Sequence, residues 1–154
     1  MIIKYSKKYF QKLVDLDLNS DHPYYIKNKP KRKDILKWLG NKFKKGDEEF
    51  YLLKKENKII GAIAWKKEFL FAKKACEITF LSIDKNYQRK GYATEMMNFL
   101  ENKIKNKFKR VFLTTGINNK KAQKFYKKLG YEKYVILKDY YEKGDHSLCM
   151  RKYL

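Results

Sequence analysis

Between Ile78 and Leu100 the chain changes its hydrophobic period once, and that change limits the folds open to it. Ile78-Thr79-Phe80-Leu81-Ser82-Ile83 is a short apolar run of the kind that forms a buried strand. Thr94-Glu95-Met96-Met97-Asn98-Phe99-Leu100 begins a helical repeat, with Met96, Leu100, Ile104 and Phe108 spaced by four. Gln88-Arg89-Lys90-Gly91-Tyr92-Ala93 lies between them, a short basic loop with one glycine. Strand, loop and helix in that order aim several backbone N–H groups, and the roughly +0.5 charge of a helix N-terminus, at one point. A pyrophosphate suits such a cradle. Gly91 is expected to remove a side chain where the phosphate approaches, and Ala93 to keep the helix mouth narrow.

The remaining segments surround this unit with alternating strands and helices. Residues 1–5 suit a first strand, and Ser6 can cap a helix carrying Phe10, Leu13, Val14 and Leu16 on one face. Residues 17–30, with Pro23 and Pro30, form a connection. A second helix from about Asp34 carries Ile35, Trp38, Leu39 and Phe43 on one stripe, with Gly40 weakening its middle. Residues 49–55 and 58–66 are two strands around a turn at Glu56-Asn57, with Gly61 marking a bulge or a close approach. Residues 75–83 form the strand that feeds the loop, 94–108 the following helix, and Val111–Thr115 a short buried strand. Asn118-Asn119 opens a helix with Ala122, Phe125, Tyr126 and Leu129 on one stripe, closed by Gly130. Strands over 132–139 and 146–153 complete the order β-α-α-β-β-β-α-β-α-β-β. This predicts one α/β domain over residues 1–154 with a mixed sheet.

A chain of 154 residues can bury one continuous core, and 44% hydrophobic residues are too many for a disordered chain. The formal net charge of +21 raises nucleic acid as a partner. Only Arg32, Arg89, Arg110 and Arg151 among the 38 basic residues are arginines, however, and the 34 lysines are spread along the whole length. Base-reading surfaces lean on arginine for bidentate contacts, so nucleic acid or ribosome contact is open but not favoured. Cys76 and Cys149 stand without a CxxC or a histidine at ligand spacing, which predicts buried reduced thiols and no metal site. No run has signal-peptide or membrane-spanning length, so the expected location is the cytoplasm, away from membranes.

The loop Gln88-x-x-Gly91-x-Ala93 resembles the Q/R-x-x-G-x-G/A signature of the GNAT superfamily of acetyl-CoA-dependent N-acetyltransferases. Asn119-x-x-Ala122-x-x-x-Tyr126-x-x-x-Gly130-Tyr131 resembles its second hallmark, at the usual separation from the first. The resemblance covers nearly the whole chain. It implies a single domain whose mixed, mostly antiparallel, splayed sheet is flanked by about four helices, with acetyl-CoA as cosubstrate and no metal. It further implies that backbone groups of Leu81, Ser82 and Ile83 hold the pantetheine arm, that Gln88, Arg89, Lys90, Gly91, Tyr92, Ala93 and Thr94 cradle the pyrophosphate, and that Asn119 reaches the arm near the sulfur. Lys85 stands where the family has a proline.

Tyr126 matches the family's general acid. A phenol with an ordinary pKa near ~10 is protonated at neutral pH and available to a leaving thiolate whose conjugate acid lies near ~8.5. Glu77 matches the offset of the glutamate base in histone-type members, acting through a water. Its other reading is a sheet-face carboxylate paired with a lysine. Members similar to ribosomal-protein alanine acetyltransferases place the base at the position of Thr114, which cannot serve. The resemblance implies direct attack of a neutral amine on the thioester, with backbone N–H groups steadying the oxyanion.

The ending Tyr140-Tyr141-x-x-Gly144-Asp145-His146 is similar to that of N-terminal-amine acetyltransferases, in which a tyrosine pair borders the peptide groove; His146 departs from the usual acid. Tyr140 and Tyr141, together with Tyr24 and Tyr25, are thus candidate acceptor-binding residues, with Trp38 either beside them or in the core. An α-amine near pKa ~8 is easier to present neutral than a lysine near ~10.4, by about 3 kcal/mol. The favoured acceptor is therefore a protein or peptide N-terminus. A small-molecule amine (aminoglycoside, polyamine or amino acid) and a non-enzymatic nucleic-acid-binding or CoA-sensing role stay open, as do monomer and homodimer.

Overall fold

Local hydrophobic period decides each element of the fold. Residues 1–20, 30–67 and 73–154 are described in the computed structural model. Strand β1 (Ile2–Lys4) leads through a 3-10 turn at Lys7–Tyr9 into α1 (Phe10–Leu18). After α2 (Arg32–Lys45) come β2 (Glu48–Lys55), β3 (Lys58–Lys67) and β4 (Ala75–Ile83). A 3-10 turn at Lys85–Tyr87 precedes α3 (Tyr92–Ile104), then β5 (Arg110–Gly116), α4 (Lys120–Lys128), β6 (Glu132–Leu137) and β7 (Ser147–Tyr153). Among the described residues the element order matches the one expected from the sequence. Seven strands pair in one sheet in the order β1-β2-β3-β4-β5-β7-β6. The β4–β5 pair is parallel, whereas β1–β2, β2–β3, β5–β7 and β6–β7 are antiparallel, so the sheet is mixed as expected.

Some boundaries differ for local reasons. Ser6 makes no side-chain cap, because the 3-10 turn intervenes before α1 begins at Phe10. Helix α2 starts two residues before Asp34, whose carboxylate accepts the Lys31 N–H at 3.0 Å and so closes the helix start. Helix α3 starts at Tyr92 and ends at Ile104, while Phe108 keeps its place through a 3.0 Å bond from its N–H to the Ile104 carbonyl.

The chain divides into two compact units. The first comprises Met1–Lys66 and Thr79–Asn102, and its core joins Leu13, Val14 and Leu16 of α1 to Ile35 and Leu39 of α2 over Phe50, Leu52, Ala62, Ala64 and Phe80 of the strands. Each fully buried aliphatic side chain contributes about 1.5–3 kcal/mol. Tyr5 and Phe43 stack at 4.3 Å, and Phe43 meets Phe50 at 4.7 Å. Trp38 is not part of this core; it is 41% exposed, tilted against Phe80 with the Lys42 ammonium over its ring.

Helix α3 packs on β3 where Gly61 lies. A Cβ on Gly61 would stand 2.7 Å from Ile83 Cδ1 and 3.0 Å from Met96 Sδ, so the missing side chain is what lets α3 and the end of β4 close on β3. The β2–β3 register shifts next to it, between Leu53 and Lys54, so both features expected of this glycine are present.

The second unit comprises Lys67–Ile78 and Lys103–Leu154. Ala75, Phe112 and Cys149 form a small core cluster there, with Leu137 against it. Both cysteines are free and buried. Among the described residues no helix is long and apolar enough to cross a membrane.

Candidate active site

In the first unit, the end of β4 is fixed by Asp84. Its N–H donates to the Ile60 carbonyl at 2.9 Å, and its carboxylate accepts the Asn86 N–H at 3.0 Å and the Lys58 ammonium at 2.9 Å. Burial alone would raise this carboxyl; the bonds from Lys58 and Asn86 overcome it and hold the group below the usual carboxylate range. These bonds set the 3-10 turn at Lys85–Tyr87. Gln88 then folds back, its Nε2 donating to the Ile83 carbonyl at 3.2 Å, and the Lys90 ammonium donates to the Asn86 carbonyl at 3.1 Å.

Arg89 and Gly91 both take left-handed backbone angles, φ 60° and 85°, and the first bond of α3 runs from the Glu95 N–H to the Gly91 carbonyl at 2.9 Å. The amides of Tyr92, Ala93 and Thr94 precede that bond and have no partner within the helix. Left-handed residues on either side of Lys90 turn successive amides toward one concavity, a nest. A Cβ on Gly91 would meet no protein atom within 4 Å, so this glycine is set by its positive φ and not by crowding. The space a side chain would fill is open to a ligand. The Tyr92 phenol accepts from Lys55 Nζ at 3.0 Å, and Lys55, Lys58 and Lys90 all lie within 6.0 Å of the Tyr87 ring centre. This positive neighbourhood suits an anion.

The β4–β5 ladder runs from Ala75↔Arg110 to Ile78↔Leu113, and Leu81, Ser82 and Ile83 lie beyond its end on β4. Ser82 is 6% exposed, and its hydroxyl has no hydrogen-bond partner among the described residues.

In the second unit, register brings Glu77 and Thr114 to one face. Glu77 stands opposite Phe112 and Thr114 opposite Cys149, and side chains two apart on a strand share a face. Glu77 is buried at 8% exposure. The Tyr141 hydroxyl hydrogen-bonds Thr114; desolvation raises this phenol, and the charges of Tyr140, Glu77 and Asp145 push the same way. Tyr140 meets Tyr141 edge to face at 4.7 Å. Burial, reinforced by Glu77 and opposed by Arg151, pushes the Cys149 thiol up to about 11, so it stays protonated and is a poor nucleophile. Tyr140, Tyr141, Thr114 and Glu77 therefore form one group.

Tyr126 belongs to another. It packs edge to face on Tyr131 at 5.9 Å, and Tyr131 lies under the ammonium of Lys152, which leaves β7 on the face opposite Arg151. Desolvation raises its phenol to about 12. A thiol near pKa ~8.5 is the stronger acid, so complete transfer from this phenol would be uphill; Tyr126 is suited to donate a hydrogen bond to a developing thiolate. Asn119 caps α4, its Oδ1 accepting the Ala122 N–H at 3.1 Å, which leaves its Nδ2 as the group able to donate elsewhere. Tyr24 and Tyr25 lie outside the described residues.

Lys58 and Asp84 escaped the sequence reading as site residues, and Thr114 was read there only as a position unable to act as base. Asp84 two positions before Asn86 is a local turn signal that could have identified it. Lys58 pairs across 26 positions, and nothing in its surroundings along the chain marks it.

A profile of the Acetyltransferase (GNAT) family matches residues 12–131. An uncharacterised N-acetyltransferase of Methanocaldococcus jannaschii is 27% identical over 119 residues, covering 75% of this chain; the chain spans about half of that relative, 51% of its length. An N-alpha-acetyltransferase of Saccharolobus solfataricus is 23% identical over 151 residues, covering 92% of this chain and 83% of its own. Among solved structures, the Escherichia coli ribosomal-protein-S18-alanine N-acetyltransferase superposes with a TM-score of 0.72 at 12% identity, covering 99% of this chain and 92% of that one. An aminoglycoside 6'-N-acetyltransferase complexed with coenzyme A gives 0.73 at 12% identity, covering 99% and 96%.

Proposed function

Because the chain belongs to the GNAT acetyltransferase family, and is thus an acetyltransferase drawing on acetyl-CoA, we propose that its acceptor is the α-amine of a protein or peptide. When bound, acetyl-CoA supplies an activated acetyl thioester. The nest at Arg89 and Gly91 ahead of α3 carries the cofactor half of this reading: its amides and helix dipole are suited to the pyrophosphate. Backbone groups of Leu81, Ser82 and Ile83, past the end of the β4–β5 ladder, are suited to the pantetheine amides, with the Ser82 hydroxyl a further donor.

The acceptor half rests on the group around Glu77. An α-amine near pKa ~8 is largely protonated at neutral pH and must lose a proton before attack, and Glu77 takes it, directly or through water. The Tyr141 hydroxyl, held by Thr114, borders that carboxylate and with Tyr140 forms the wall for the first residues of an extended acceptor. On the opposite face of this part of the sheet, Tyr126 holds a protonated phenol for the departing sulfur. The relative named N-alpha-acetyltransferase supports the same acceptor.

The test is thiol release from acetyl-CoA against N-terminal peptides, internal-lysine peptides, polyamines and aminoglycosides. N-terminal peptides are expected to turn over at least tenfold faster by kcat/KM. Equal or faster turnover of an aminoglycoside or polyamine would overturn the acceptor assignment. Acetyl-CoA binding by calorimetry is the separate check on the nest.

A further inference from the structure

Tyr140 and Tyr141 are 43% and 70% exposed, so burial in a core does not hold the wall proposed for the acceptor. Apart from the Tyr141 hydroxyl at Thr114, what fixes the pair is the loop over residues 138–146 that joins β6 to β7. Two backbone bonds shape it, from the Tyr140 N–H to the Asp145 carbonyl at 2.8 Å and from the Asp145 N–H to the Glu142 carbonyl at 2.9 Å. Two side chains close it. The Asp139 N–H donates to His146 Nδ1 at 3.1 Å, and Asp139 Oδ1 accepts the Gly144 N–H at 2.6 Å. Asp139 has a left-handed φ of 50°, and a residue with a side chain keeps that conformation only where its surroundings impose it. The imidazole does so at the residue next to Tyr140. His146 is itself anchored, because its carbonyl accepts the Ile117 N–H at 3.0 Å, just past the end of β5.

We infer that His146 is a positioning residue for the acceptor: its Nδ1, by accepting the Asp139 N–H, closes the 138–146 loop and so sets Tyr140 and Tyr141 where an acceptor chain meets them. The inference rests on the reading of those two tyrosines as the acceptor wall. A ring nitrogen that accepts an N–H carries no hydrogen of its own, so the imidazole that makes this bond is neutral and bears its hydrogen on Nε2. His146 is also the position at which this ending departs from the acid of the N-terminal-amine acetyltransferases, so the imidazole tie belongs to this chain and not to the resemblance. None of the residues in the tie is one assigned to the acyl carrier. Its loss should therefore appear in acceptor binding and not in carrier binding. The bond from Ile117 goes to the backbone of His146, and a change of side chain leaves it in place.

Steady-state kinetics of the full chain test this with whichever amine of the panel above is turned over fastest. An aminoglycoside outrunning the peptides would then count against the acceptor assignment alone, and the role of His146 is decided separately. His146→Leu keeps bulk and removes the acceptor atom; KM for the amine is expected to rise about fivefold, as for the loss of one exposed hydrogen bond, with kcat and KM for acetyl-CoA within about twofold of wild type. His146→Asn offers a carbonyl oxygen in place of Nδ1 and is expected to restore KM for the amine. Proton–nitrogen correlation spectra at pH 8 are expected to find the wild-type imidazole hydrogen on Nε2. The Asp139 amide should exchange slowly in wild type and His146→Asn and fast in His146→Leu. An amine KM unchanged in His146→Leu, a His146→Asn variant as impaired as His146→Leu, or a hydrogen on Nδ1 would each overturn the inference. So would a loss shared equally between the two substrates, which is what a general loosening of the fold would give.

Discussion

At the scale of single residues, the roles proposed for Tyr126 and Glu77 can each be tested alone. Tyr126→Phe removes the hydroxyl and keeps the ring on Tyr131, so kcat is expected to fall by about 10²-fold with KM for acetyl-CoA nearly unchanged, measured by steady-state thiol release. Because desolvation holds this phenol at about 12, it stays protonated well past pH 10, and no loss of rate between pH 8 and about 10 should trace to it. Glu77→Gln keeps shape and loses the base; the acidic limb of kcat/KM is expected to shift or vanish, whereas an unaltered pH profile would leave Glu77 a sheet-face carboxylate. These two residues, Gly91 and Asn119 could be picked out as candidates in the sequence because each sits at a fixed offset from a local pattern. The contacts that position them could not. Thr114 meets Tyr141 and Lys58 meets Asp84 through the fold, across intervals that carry no periodic signal. The left-handed backbone angle of Gly91 could not be read from the sequence, which marked the position for the approach of a phosphate.

Among elements, the seating of α3 on β3 has the narrowest tolerance. A Cβ on Gly61 would crowd Ile83 and Met96, so Gly61→Val is expected to cost about 1–3 kcal/mol by overpacking. That lowers Tm by roughly 2–4 °C per kcal/mol for a chain of this size, measurable by calorimetry. The same change displaces Ile83 at the end of β4, so acetyl-CoA affinity should fall along with stability. Strands and helices were legible wherever their period was clean, as in β4 and α4. Exposure was not: Tyr134-Val135-Ile136 has the composition of an ordinary half-buried strand, and only the sheet order puts it at an edge. Trp38 falls on an apolar helical stripe in the sequence yet lies at the surface, where Lys42 covers its ring.

For the whole molecule, charge sets the conditions under which the fold is most stable. A chain with 38 basic and 17 acidic residues repels itself, and the ion pairs Lys42–Glu48 and Lys58–Asp84 offset only part of that. Raising salt from low to physiological strength shortens the Debye length to about 8 Å, so Tm is expected to rise by calorimetry. A fall would mean that attractive pairs outweigh the repulsion. One acid also couples pH to ligand capture. Asp84 ties the loop before α3 to the first residue of β3, and its lowered pKa places the sign of the effect: the tie is complete above the ordinary carboxylate value near ~4 and is lost as pH falls through the folded-state value. Below that point a single protonation unfastens both Lys58 and the Asn86 amide. In mild acid the tie therefore holds, and the loop should loosen only in acid stronger than the ordinary carboxylate value near ~4.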